Sequence, residues 1–143
     1  MVSLYDLASA GGSVWLLNVF RAKLEFPRLR RKIRSLAKSW QAGLILIEEA
    51  GSGVQLIQDL RVENHLSIKG VIPKDDKATR MLSVSHLIEG GQIAVPENIP
   101  WLAEFQREVT LFPNGKHDDQ VDSLSQFLKW LVQPQSAPRI RAL

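Results

Sequence analysis

An α/β layer fold, with a mixed sheet flanked by helices, is what this sequence predicts, and three observations carry the prediction. Short apolar runs of strand length alternate with stretches whose apolar residues recur at helical spacing, the pattern of a sheet covered by helices. Two early apolar runs are separated by Gly11-Gly12, so one pair of strands turns back on itself and the sheet is mixed, not purely parallel. Hydrophobic residues make up 45% of 143, enough to bury the core of one ordinary domain.

The elements follow in order. Val2 to Leu7 reads as a short strand, and Ser13 to Phe26 ("SVWLLNVFRAKLEF") as a longer, partly β-branched one. Pro27 suits the first turn of a helix, and Leu29, Ile33, Leu36 and Trp40 then form one helical stripe. "GLILIEE" (Gly43 to Glu49) is a continuous apolar run ending in acid, which fits a strand buried on both sheet faces. Val54 to Arg61 reads as a helix, His65 to Pro73 as a short strand, and Asp75 to Gly91 as a helix stopped by its glycines. "QIAVP" is a short strand or extended edge, because Pro96 limits pairing. Pro100 opens a helix with Trp101, Leu102, Phe105 and Val109 on one side. The loop "FPNGKHDD" leads into a last long helix striped by Val121, Leu124, Leu128 and Leu131. No repeat, low-complexity tract or linker interrupts this series, so one domain is expected over 1–143, with 135–143 a frayed tail.

Composition excludes several classes. There is no cysteine, hence no disulfide framework and no thiolate zinc site. No signal-peptide pattern and no run of about 18 apolar residues occurs, so a soluble cytoplasmic protein with no membrane partner is expected. No G-x-x-x-x-G-K-[ST] phosphate loop and no G-x-S-x-G nucleophile motif occurs. Net charge is only +3, but eight of the lysines and arginines fall between Arg21 and Lys38 with one acid, Glu25. Two readings of that helix stand. Its Arg28, Arg30, Arg31, Lys32, Arg34 and Lys38 form a solvated face, or they contact phosphates.

The acids cluster elsewhere. Asp118, Asp119 and Asp122 crowd a helix start. Carboxylates there accept backbone N–H bonds and complement the dipole, which accounts for one or two of them. Asp122 is not explained so, since it stands i+3 and i+4 from the other two and shares their helical face. A cation between them is the alternative. Glu48 and Glu49 end a buried-looking strand and alternate to opposite faces, so only one of them can join a given site. An all-oxygen donor set favours Mg²⁺ or Mn²⁺, and two such ions can clamp the attacking and leaving oxygens of phosphodiester hydrolysis. His65, His86 and His117 share no ligand spacing.

At this point the residues reach a known family. "LILIEEAGSGVQLIQDLR", "DDKATRM" and "IEGGQIAVPENIPWLAEFQREVTLFPNGKHDDQVDSLSQFL" closely resemble the C-terminal nuclease domain of tailed-phage terminase large subunits, and "LLNVFRAKLEFPRLRRKI" resembles the strand and helix ahead of them. The likeness runs from about Trp15 to Trp130. Its combined motifs are I-E-(x)4-G, D-K-x-x-R and F-P-x-G-x-H-D-D-x-x-D.

The resemblance implies an RNase H-like fold, similar to Holliday-junction resolvases. It implies a metal-dependent endonuclease that cuts concatemeric double-stranded phage DNA during packaging. By position, Glu48, Asp119 and Asp122 are its catalytic acids, and Glu48, Asp118, Asp119 and Asp122 its ligands for two Mg²⁺ or Mn²⁺ ions. Lys77 and Arg80 match the family's K-x-x-R, with a DNA-contact role or a helix-surface role, and Arg28 and Arg31 join them as candidate DNA contacts. Implied partners are double-stranded DNA, the terminase small subunit, the portal and the packaging ATPase, in the cytoplasm of a bacterial host.

Two departures qualify it. The family's packaging ATPase has no counterpart here. The family's first catalytic aspartate lies on its first strand, and Asp6 is the one aspartate before Glu48. Asp6 is too near Arg21 to leave room for a second strand, so Val2 to Leu7 corresponds to the family's second strand, and the first is expected to be absent. Asp6 as the first acid is the alternative. Two further functional readings follow: a catalytically silent DNA-binding or assembly remnant, and a junction-resolving nuclease of the same fold.

Overall fold

The computed structural model describes residues 2–133; the tail expected at 135–143 lies outside them. In chain order the elements are β1 (Val2–Ala10), β2 (Ser13–Ala22), α1 (Phe26–Ser39), β3 (Ile45–Glu48), α2 (Ser52–Arg61), β4 (Ile68–Val71), α3 (Lys77–Glu89), β5 (Ile93–Ala94), α4 (Leu102–Leu111) and α5 (Asp119–Val132). Strands and helices thus alternate as expected. β1 and β2 form a hairpin whose two turn residues, Gly11 and Gly12, have φ of 55° and 80°. Both lie in the left-handed region, where the two-residue turn matches the twist of its strands and a side chain would be strained.

β1 pairs antiparallel with β2, and β2 pairs parallel with β5, so this sheet is mixed. β3 and β4 pair parallel, from Ile45 opposite Ile68 to Glu48 opposite Val71. Among the described residues no backbone hydrogen bond joins β1 to β3, and the strand layer stands in two pieces. This explains one departure from expectation. β3 reads as a strand buried on both faces, yet all four of its residues are only half-buried, because one edge is open.

The long strand expected to reach Phe26 stops at Ala22. Leu24 and Phe26 turn instead toward Leu29 and Ile33 of α1, and Pro27 sits in that helix's first turn. Trp40 leaves the expected stripe as the residue after α1, and Ala37 is buried in its stead.

Two apolar clusters hold the layers. Val14, Leu16, Val84, Phe105, Leu124 and Leu128 join β2 to α3, α4 and α5. Leu29, Ile33, Leu56 and Leu60 join α1 and α2 over β3 and β4. β1 serves both, because Leu4 packs on the second cluster while Tyr5 and Leu7 pack on the first. That split follows from the alternation of side chains along a strand. Leu60 and Leu128 are fully buried, each worth about 1.5–3 kcal/mol relative to exposure.

Candidate active site

The first turn of α5 carries the crowded acids, and its N–H groups need acceptors. Asp118 is the residue before the helix, yet its side chain makes no capping bond. Glu108 of α4 supplies the cap. It is 6% exposed. Its Oε1 accepts from the backbone N–H of Gln120 at 2.6 Å and of Val121 at 3.2 Å, and its Oε2 accepts from the Gln120 side-chain amide at 2.8 Å. The Tyr5 hydroxyl donates to the Gln120 carbonyl at 2.9 Å. Burial, and then the charge of Glu108, push the Tyr5 pKa upward, so this hydroxyl keeps its proton.

With the cap provided from elsewhere, the three aspartates are free to face cations. Asp118 accepts from Lys77 Nζ at 3.1 Å, and Lys77 also stands 3.6 Å from Asp122. Arg80 pairs with Asp122. Although an arginine, it is 5% exposed, and Ser125 Oγ at 3.2 Å and the Asp75 carbonyl at 3.4 Å hold its guanidinium. Asp119 turns the other way, toward Arg21 at 3.7 Å, which also pairs with Glu104 and stands 3.8 Å from Glu108. Part of the answer to the crowding is therefore internal: cations of α3 and β2 lie among the acids.

Glu48 closes β3. The chain then turns sharply into α2, and a Cβ on Gly53 would overlap the Glu48 carbonyl. The glycine of the I-E-(x)4-G pattern is thus required by close backbone approach. Gln126 of α5 donates its side-chain amide to Glu48. Gln126 lies one turn beyond Asp122, on the same helical face. Glu48, Asp122, Gln126 and Asp6 all line one groove of about 630 Å³. Glu49 lies against β4, where a Cβ on Gly70 would meet its Oε2 at 2.6 Å.

Asp6 sits on β1 and accepts from the Asn18 amide at 2.9 Å. Burial raises its pKa above the ordinary 3.8, against the opposing pulls of Asn18 and Lys32. His65, His86 and His117 are exposed.

The donors along the groove are carboxylate and amide oxygens, which suit a hard divalent cation. Of the four acids expected to hold metal, Glu48 and Asp122 are the two that line this groove. Asp118 and Asp119 stand outside that groove, and among the described residues no three His, Asp or Glu side chains come close enough to hold a metal ion.

The basic face of α1 divides by partner. Arg30 bonds Asp59 at 3.1 Å, tying α1 to α2, and Arg34 pairs with Glu63 in the turn after α2. Lys32 lies 4.2 Å from the centre of the Phe20 ring. Arg28 and Arg31 are exposed and, among the described residues, carry no ion pair.

Three residues escaped sequence reading: Glu108, Gln126 and Arg21. Each left a signal. Glu108 follows Phe105 by three residues, so it is an acid on a helix's apolar face. Gln126 follows Asp122 by four. Arg21 ends an apolar strand.

Residues 7–130 match the family described as Terminase RNaseH-like domain, which is most of the sequence. The chain belongs to that family. Its fold is also that of a solved structure, the large terminase nuclease from thermophilic phage G20c with bound zinc, at a TM-score of 0.64 and 17% identity over 87% of this chain and 78% of that one. No curated protein matches. Among the described residues no helix is long and apolar enough to cross a membrane.

Proposed function

We propose that the chain is a terminase nuclease domain, a metal-dependent endonuclease that cleaves concatemeric double-stranded DNA during genome packaging. The observation that carries this reading is that Glu48 of β3 and Asp122 of α5 line the same groove in a chain of the terminase family. A pair of Mg²⁺ or Mn²⁺ ions, when bound, activates the attacking water and stabilises the leaving oxygen. Glu48 and Asp122, joined by Asp118 and Asp119, are the residues that would hold them. Gln126 orients Glu48, while Lys77 bridges Asp118 and Asp122 and Arg80 pairs with Asp122, so the crowded carboxylates of α5 are partnered. Arg28 and Arg31 steer phosphates from a neighbouring face. Small subunit, portal and packaging ATPase are partners by the same reading.

A second reading is favoured by the absence of three converging acids among the described residues: a DNA-binding or assembly module without turnover. Plasmid nicking in Mn²⁺ separates the two. Nuclease action predicts nicked plasmid that Glu48→Ala and Asp122→Ala each reduce by at least about 100-fold. DNA retention without nicking supports the silent module. Cleavage that survives both substitutions sinks the assignment of these acids.

A further inference from the structure

A second, smaller cleft of about 250 Å³ opens between the β4–α3 segment and the later turns of α5. It meets the groove of Glu48 and Asp122 at Gln126 and Trp130, which line both. Its charged lining consists of Lys69, Lys74, Arg80 and Lys129 against Glu49 and Asp75. Two of the cations are engaged: Lys129 pairs with Asp75, and Arg80 with Asp122. Lys69 and Lys74 are exposed and, among the described residues, carry no ion pair. The backbone beside Lys74 is firmly held. Lys129 fastens Asp75 to α5, Arg80 Nη1 donates to the Asp75 carbonyl at 3.4 Å, and Asp76 caps α3 by accepting from the Thr79 N–H at 3.0 Å. Lys74 thus stands on a loop tethered at the two residues that follow it, and such a loop loses little freedom on binding.

We propose that the lip of this cleft is a phosphate-contacting surface for one strand of double-stranded DNA, with Lys69 and Lys74 on separate phosphates of that strand. For its ligand the proposal rests on the nuclease reading; the surface itself is distinct from the acids. Glu48 pairs with Val71 across β3 and β4, and Lys74 lies three residues further on, at most about 11 Å of chain. A DNA strand carries one charge per about 3.4 Å of axis, so a strand with a phosphate at Glu48 passes Lys74 within about three nucleotides. Lys69 and Lys74 are separated by up to about 18 Å of chain. That spread suits a row of phosphates better than one small anion. Glu49, held against Gly70, opposes an anion entering the cleft itself, so the strand stays at the lip.

The probe is a short fluorescein-labelled duplex in EDTA, where binding is read without cleavage. Lys69→Ala and Lys74→Ala should each lower the slope of log K against log salt by about 0.9, and the double variant by about twice that. Arg61→Ala, on α2 and outside the cleft, should leave the slope unchanged. Unaltered urea midpoints show that these exposed substitutions spare the fold. Because the chain has no cysteine, Lys74→Cys offers a single thiol for an aryl-azide crosslinker. Light should join the duplex to this variant and far less to Arg61→Cys. Unchanged slopes in both lysine variants, an equal fall in Arg61→Ala, or equal crosslinking at both thiols would overturn this surface and leave the nuclease reading standing. A parent chain that retains no duplex overturns both. A parent that shows the expected slopes but never nicks plasmid supports the surface and counts against the nuclease reading alone.

Discussion

Glu108 and Asp6 are both acids drawn out of water, and their surroundings treat them oppositely. Glu108 is 6% exposed but accepts three hydrogen bonds, two of them from N–H groups that α5 cannot satisfy within itself. Glu108→Ala leaves those donors buried and unmet, and should cost about 2–3 kcal/mol, whereas Glu108→Gln keeps an acceptor and should cost about 1 kcal/mol. Urea unfolding measures both, and equal losses would mean that only the charge matters. Asp6 has one bond, from Asn18, and burial raises its pKa. The folded state therefore holds the Asp6 proton more tightly than the unfolded state. That contribution is complete below the unfolded pKa and is lost as pH rises through the folded one. Asp6→Asn retains an acceptor without the charge. It should be more stable than the parent at pH 7 and should lose that advantage below the ordinary aspartate pKa of 3.8. An advantage that does not change with pH would remove the electrostatic cause.

At the scale of elements, α1 shows how one basic helix serves two ends. Arg30 and Arg34 are engaged with Asp59 and Glu63 of the neighbouring segment, and Lys32 with Phe20, whereas Arg28 and Arg31 face solvent. Under the nuclease reading, Arg28→Ala and Arg31→Ala should each lower the slope of log K against log salt by about 0.9, with little change in stability. Arg30→Ala should leave that slope alone and loosen α1 from α2. Binding isotherms at three salt concentrations decide, and an unchanged slope in both exposed variants removes α1 from the DNA interface. The sequence distinguished these groups poorly. Periodicity reports which face of a helix is polar, but the acids that neutralise Arg30 and Arg34 lie 29 residues on. The same limit hid Glu108, whose partners on α5 are 12 and 13 residues away. What was legible was local. The Gly11-Gly12 turn, Pro27 at the start of α1 and the glycine of I-E-(x)4-G each express a backbone requirement that the residue itself declares.

Over the whole molecule, the open groove falls between the two apolar clusters. β1 touches both clusters, but β3 and β4 are held by α1 and α2 and by their own pairing, and among the described residues no hydrogen-bonded strand lies on the other side. Continuity of a central sheet is what usually makes the halves of an α/β layer open together. Here that continuity is interrupted, so the part built on Leu29, Ile33, Leu56 and Leu60 should be able to open while the part built on Leu16, Leu124 and Leu128 stays closed. Native-state hydrogen exchange across a denaturant series tests this. Amides of β3 and β4 should exchange through an opening of lower free energy and shallower denaturant dependence than those of β2 and the middle of α5, which should need global unfolding. Because Glu48 rides on the weaker part and Asp122 on the stronger, such an opening would also separate the two acids on which the proposed chemistry depends. A single exchange free energy for all four segments would show that β1 and the ion pairs couple the halves fully, and that the groove is not a seam.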